Sequence, residues 1–198
     1  GTNFIDGLNT NVLGYYIIIS LFLYQTNQDF FLLNFADWSL WISILVILFF
    51  FNFFNKMFIG DSGSYVLGFI YGYLLIEIYV NSQNLSPFYI ILLVWYPCFE
   101  TLFSIIRKFR LNRSPILPDT KHLHQLLYIS IKKKFKLPNV KTNIYSAIVI
   151  NIYNLFIVYL ASTNVSNSQF QIFLIFISIL VYCYLYFSLF KNLFYRKL

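Results

Sequence analysis

The sequence predicts an all-α protein, a polytopic membrane helical bundle with about six transmembrane helices. Of its 198 residues 59% are hydrophobic and only 11% are charged. A soluble domain carries roughly 25% charged residues, so too little charge is left to cover a water-facing surface. The apolar residues also gather into six runs, near 12–25, 38–54, 65–80, 88–106, 143–162 and 170–190. They lack the period-2 alternation of a lipid-facing barrel.

A helix crosses the hydrocarbon core with about 20 residues. The first and third runs fall short of that. They either extend into flanking residues or sit inside the bundle, where the bilayer does not set the length. The whole chain reads as one transmembrane domain, with 107–142 as a long polar loop between the fourth and fifth runs.

Charge gives the orientation. If residue 1 is cytoplasmic, all fourteen Lys and Arg fall on the cytoplasmic side: Lys56, the ten from Arg107 to Lys141, and Lys191, Arg196 and Lys197. The opposite loops carry Asp29 and Asp37 and no basic residue. Loop Lys and Arg favour the cytoplasm, so both ends and the 107–142 loop are expected there. Lys132 to Lys136 serves as an anchor on that side and attracts anionic headgroups. No nucleic acid is expected as a partner. Cys98 and Cys183 lie in apolar runs and read as free, small hydrophobes. The chain opens Gly1-Thr2-Asn3, and its only methionine is Met57. Its natural start is therefore expected upstream, and no signal peptide is visible.

The same orientation brings the reactive side chains to one membrane face. The first segment is Asn3-Phe4-Ile5-Asp6-Gly7-Leu8-Asn9, before the first run. Its bland explanation is a helix cap. The second is Phe58-Ile59-Gly60-Asp61-Ser62-Gly63-Ser64. Glycines there admit a close ligand, and N–H groups at a helix start suit phosphate. Asp61 offers the hard oxygen that magnesium takes; the competing explanation is again an N-cap. Further on, Gly68 and Gly72 read as a helix-packing face.

The third segment is the 107–142 loop, with Arg107, Arg110, Pro118-Asp119 and His122-Leu123-His124-Gln125. On spacing alone, His-x-His is a solvated surface pair before it is a zinc site, since no Cys or third His completes a tetrahedral set. Glu77 and Glu100 stand within apolar runs, where ionisable groups are costly and often functional. Glu100 either pairs with a nearby Arg or lines a site, and Glu77 snorkels or pairs.

In order and placement these segments resemble the polyprenyl-phosphate N-acetylhexosamine-1-phosphate transferases, relatives of the phospho-MurNAc-pentapeptide translocase. The likeness rests on N-x-x-D-G-x-N/D at Asn3 to Asn9, F-x-G-D-S/T-G-S at Phe58 to Ser64, and P-D-x-x-H-x-H at Pro118 to His124, and it runs over essentially the whole chain. It implies transfer of a sugar phosphate from UDP-N-acetylhexosamine, such as UDP-GlcNAc, to polyprenyl (undecaprenyl) phosphate, with release of UMP. That step initiates lipid-linked glycans such as O-antigen at the bacterial inner membrane. The resemblance also implies catalytic roles for Asp6, Asp61, His122 and His124, with Asp61 on Mg2+ (Mn2+ as a substitute). Substrate binding then falls to Asn3, Asn9, Gly60, Ser62, Arg107, Arg110 and Asp119, with homodimer formation left open. An upstream carboxylate pair is expected too, so this chain alone is expected to be inactive. Gln125 stands where the family often has a third His, Thr120 where an Arg commonly follows Pro-Asp, and Thr10 where a Gly usually follows the first motif. The competing classes are a transporter half using Glu77 and Glu100, and an inactive membrane scaffold.

Overall fold

The computed structural model describes residues 1–33, 35–82, 84–112, 114 and 121–194. Asp119, with Arg113, Pro118 and Thr120, and the terminal Arg196 and Lys197 lie outside the described residues. Among the described residues the secondary structure is all helix, in ten elements. These are α1 (Thr2–Ile5), α2 (Asn11–Thr26), α3 (Gln28–Leu33), α4 (Phe35–Phe53), α5 (Gly60–Asn81), α6 (Pro87–Leu93), α7 (Trp95–Arg110), α8 (Leu123–Phe135), α9 (Asn139–Ser162) and α10 (Ser168–Phe194).

The protein is a polytopic helical membrane protein, but the expectation of six crossings is too high. Among the described residues three helices, α5, α9 and α10, are long and apolar enough to cross a bilayer, and a bent α6–α7 pair makes up to four. The short first run explains part of the difference. Helix α2 has only 16 residues, and most are buried from Asn11 to Leu23. It packs on α9 and α4 as a core helix, so bilayer thickness does not set its length. The apolar part of α4, Asp37–Phe53, is also short. The third run, by contrast, extends to the 22 residues of α5.

Helix α5 shows what the apolar exterior is for. Leu67, Tyr71, Leu75 and Ile78 are buried, while Val66, Phe69, Tyr73, Ile76 and Val80 form an exposed stripe at spacings of three and four. In water such a stripe would be an aggregation surface. Against lipid it is the expected exterior.

The fourth run is a broken helix. Helices α6 and α7 meet at 72°. Pro97 has no N–H to give the Leu93 carbonyl one turn back, and that missing bond frees the backbone to bend at Val94. The Tyr15 hydroxyl of α2 donates to the freed Leu93 oxygen at 2.7 Å. The bend is thereby satisfied internally and redirects α7, with Glu100 on it. The 107–142 segment is not all loop either, because α8 lies within it and packs on α9 and α10.

Candidate active site

The first motif does not cap α2. Asp6 closes the four-residue α1, and α2 is entered through Thr10 in a left-handed conformation at φ 67° without a side-chain cap. The second motif supplies no side-chain cap either: its Ile59 is the N-cap of α5 without a side-chain bond, and Asp61 sits in the first turn. Both carboxylates are therefore free of the capping roles that spacing alone allowed.

Three separate stretches of chain meet here. Ser64 Oγ donates to Asn3 Oδ1 at 3.2 Å, joining the first and second motifs. Asp6 and Asp61 lie close enough for one charge to act on the other. Burial first, and the Asp61 charge second, push the Asp6 carboxyl up to about 6. A Cβ at Gly7 would stand 2.2 Å from His124 Nε2. The glycine of the first motif is thus the gap into which the imidazole of the third fits. Phe4 adds an edge contact on His122 at 5.6 Å between ring centroids.

The histidines are not a solvated surface pair: His122 is 6% and His124 2% exposed. Their rings stack at 5.6 Å with only 6° between planes. Burial drives the His124 pKa down to about 4, so its ring is neutral at ordinary pH. Both His124 nitrogens are buried without a hydrogen-bond partner among the described residues. Native structures rarely leave such atoms unmatched unless water, an ion or a ligand serves them. His122 Nδ1 stands 2.9 Å from Glu100 Oε1. The carboxylate that could have sought an Arg is paired with a histidine instead.

The other candidates fall around this junction. Gly60 has φ +64° and open space where a Cβ would point, leaving room for a ligand at the start of α5. Ser62 is exposed beside it. Asn9 Nδ2 donates to Asn55 Oδ1 at 2.8 Å. Arg107 bonds the Lys121 carbonyl and, at 2.5 Å, the Tyr186 hydroxyl, which holds the approach to the histidines against α10. Arg110 is exposed near the end of α7. Gln125 accepts from the His122 N–H at 3.1 Å and caps α8. Gly68 packs against Thr2, but Gly72 faces open space, so only the first belongs to a packing face.

A cleft of about 460 Å³ borders the junction, lined among others by Gly7, Asn55, Phe58, Gln125, Tyr128 and Asn143. Asp6, Asp61 and His124 are not among its lining residues; Gly7 and Gln125, chain neighbours of Asp6 and His124, are. The cleft's asparagines, Asn55, Asn139 and Asn143, went unnoticed in the sequence. Asn139, Asn143 and Asn151 repeat at multiples of four, which puts them on one face of α9. Asn143 accepts from the Asn9 N–H at 2.7 Å, and Asn151 donates to the Thr10 carbonyl at 3.1 Å.

Among the described residues no group of three His, Cys, Asp or Glu is placed to hold a metal. Two neighbouring carboxylates nonetheless suit a hard cation that takes its remaining oxygens from substrate phosphates and water. Glu77 lines a different cleft with Asp37 and Trp41, whereas Glu100 is fully buried against His122.

Comparison with known proteins decides the kinship. An undecaprenyl-phosphate alpha-N-acetylglucosaminyl 1-phosphate transferase of Thermotoga maritima is 26% identical over 136 residues, 66% of this chain and 40% of the relative. The chain is a relative of the C-terminal part of the polyprenyl-phosphate N-acetylglucosaminyl 1-phosphate transferases. A decaprenyl-phosphate N-acetylglucosaminephosphotransferase of Mycolicibacterium smegmatis is 38% identical over 36% of the chain and 21% of the relative. A probable undecaprenyl-phosphate N-acetylglucosaminyl 1-phosphate transferase of Bacillus subtilis is 39% identical over 36% of the chain and 20% of the relative. The chain thus spans about two-fifths or less of the length of these curated relatives. No family model matches it, and no solved structure does.

Proposed function

We propose that the chain carries part of the active site of an enzyme that transfers N-acetylhexosamine-1-phosphate from a UDP-sugar to a polyprenyl phosphate such as undecaprenyl phosphate, releasing UMP. The step would begin a lipid-linked glycan at the bacterial inner membrane, with the site on the cytoplasmic face. The observation that carries this is the meeting of Asn3 with Ser64 and of Gly7 with His124, each pair distant in sequence.

Both reactants are anions, so charge neutralisation and alignment are the main tasks of the site. Asp61, with Asp6 beside it, is the proposed holder of Mg2+, and Mn2+ fits the same oxygen donors. Bound there, the ion would neutralise phosphate oxygens and stabilise a leaving oxygen. The chain's own groups do the rest. The free N–H groups at the start of α5, around Gly60 and Ser62, face an anion favourably. Asn3 links α1 to Ser64 and so holds the carboxylates in register. The histidines present imidazole to the same junction. The neighbouring cleft, lined by carboxamides and aromatic rings, suits the uncharged, hydrogen-bonding and planar parts of a sugar nucleotide.

The test is UMP release and formation of a lipid-linked sugar diphosphate by the complete protein, supplied with UDP-N-acetylhexosamine, polyprenyl phosphate and Mg2+. Asp61→Asn should lower transfer by at least about 100-fold. Unchanged transfer would remove Asp61 from the site, and absence of any lipid product from the wild type would end the proposal.

A further inference from the structure

We infer that Glu100 is a positioning residue for the transfer: it fixes which nitrogen of His122 carries the proton and how the ring is set. This rests on the transferase function proposed above. Glu100 is fully buried on α7, beyond the bend at Val94. Its Oε1 lies 2.9 Å from His122 Nδ1, and the same oxygen accepts the Leu123 backbone N–H at 3.4 Å. Two donors thus converge on one acceptor oxygen, which places the His122 proton on Nδ1. Proton exchange or hydrogen bonding with a substrate is then confined to Nε2.

The ring has little freedom besides. His124 stacks on one face, the edge of Phe4 meets it, and the His122 backbone N–H is tied to Gln125. A purely mechanical stitch between α7 and α8 would not need a carboxylate, since apolar residues of similar volume serve buried contacts as well or better. What a carboxylate adds is direction: it selects one tautomer and sets the ring's orientation.

The complete protein, assayed for UMP release with varied UDP-sugar, separates this role from a structural one. Glu100→Gln is near-isosteric and keeps an oxygen acceptor. It should lower kcat about tenfold and leave KM for the donor within about threefold. Glu100→Leu should lower kcat about 100-fold, as His122→Ala should. The double variant should be no slower than His122→Ala alone, because Glu100 acts only through that ring. 15N resonances of His122 should report the Nδ1–H tautomer in the wild type and a shifted or mixed tautomer in Glu100→Leu. Multiplicative losses in the double variant, or 15N signals unmoved by Glu100→Leu, overturn the positioning role while leaving the transferase function standing. If Glu100→Leu fails to fold, the kcat-against-KM split in Glu100→Gln decides, and unchanged kcat there overturns the role. A wild-type protein without turnover overturns both.

Discussion

Replacing Gly7 by alanine introduces a single methyl group, and the structure gives its consequence. The new Cβ would lie 2.2 Å from His124 Nε2, 2.8 Å from Cδ2 and 3.2 Å from Cε1. Ordinary contact begins near 3.4 Å, so the ring or the α1–α2 connection must move by more than about 1 Å. The ring has nowhere to go: His124 is 2% exposed, and the His122 ring stacks against it. Overpacking of this kind costs about 1–3 kcal/mol, which a folded bundle tolerates. A displacement of about 1 Å at a reacting site costs about 100-fold in rate. Gly7→Ala should therefore retain its helical circular dichroism and lose about 100-fold in kcat/KM for UMP release in the complete protein. Activity within about threefold of wild type would show that His124 does not need its seat on Gly7.

Three further outcomes follow from the geometry. Thr10 holds φ 67°, a conformation costing a non-glycine residue about 1–2 kcal/mol; Thr10→Gly should leave the Tm unchanged or raise it by a few degrees, and a clear fall would deny the strain. The His124 pKa drops from 6.5 to about 4, so the unfolded chain binds the extra proton first. Stability is complete above pH 6.5 and falls towards pH 4 by about 3 kcal/mol, a slope that His124→Gln should flatten in thermal melts; equal slopes would contradict the buried neutral ring. Tyr15→Phe strands the Leu93 carbonyl and should cost about 1–3 kcal/mol. Pro97→Ala should partly rescue it by supplying the missing N–H, whereas additive losses would refute the proposed origin of the bend.

Much of the fold was legible because composition and apolar runs report the solvent a chain is built for. The number of crossings was not, because run length cannot tell a helix facing lipid from one enclosed by neighbours, as α2 is. Pro97 was visible in the sequence, but the donor that meets the freed Leu93 carbonyl, Tyr15, lies far upstream. The three motifs, distant in sequence, come together in the fold through Asn3, Ser64, Gly7 and His124. Their burial stayed hidden: His-x-His looks solvated until Gly7 is seen to make room for it. The Glu100–His122 pair joins residues 22 apart across two helices, a relation no local spacing encodes. The carboxamides of α9 did leave a trace, asparagines four and then eight residues apart in an apolar helix, and that pattern was the signal overlooked.

Photolabelling with an azido-substituted UDP-N-acetylhexosamine, mapped by mass spectrometry on the complete protein, asks most directly whether the three segments enclose the sugar nucleotide. Adducts are expected on Gly7, Leu8, Phe58, Gln125 and Tyr128, walls of the cleft, and excess UMP should suppress them. Labelling confined to other helices, or adducts at these residues that UMP does not compete away, would contradict it.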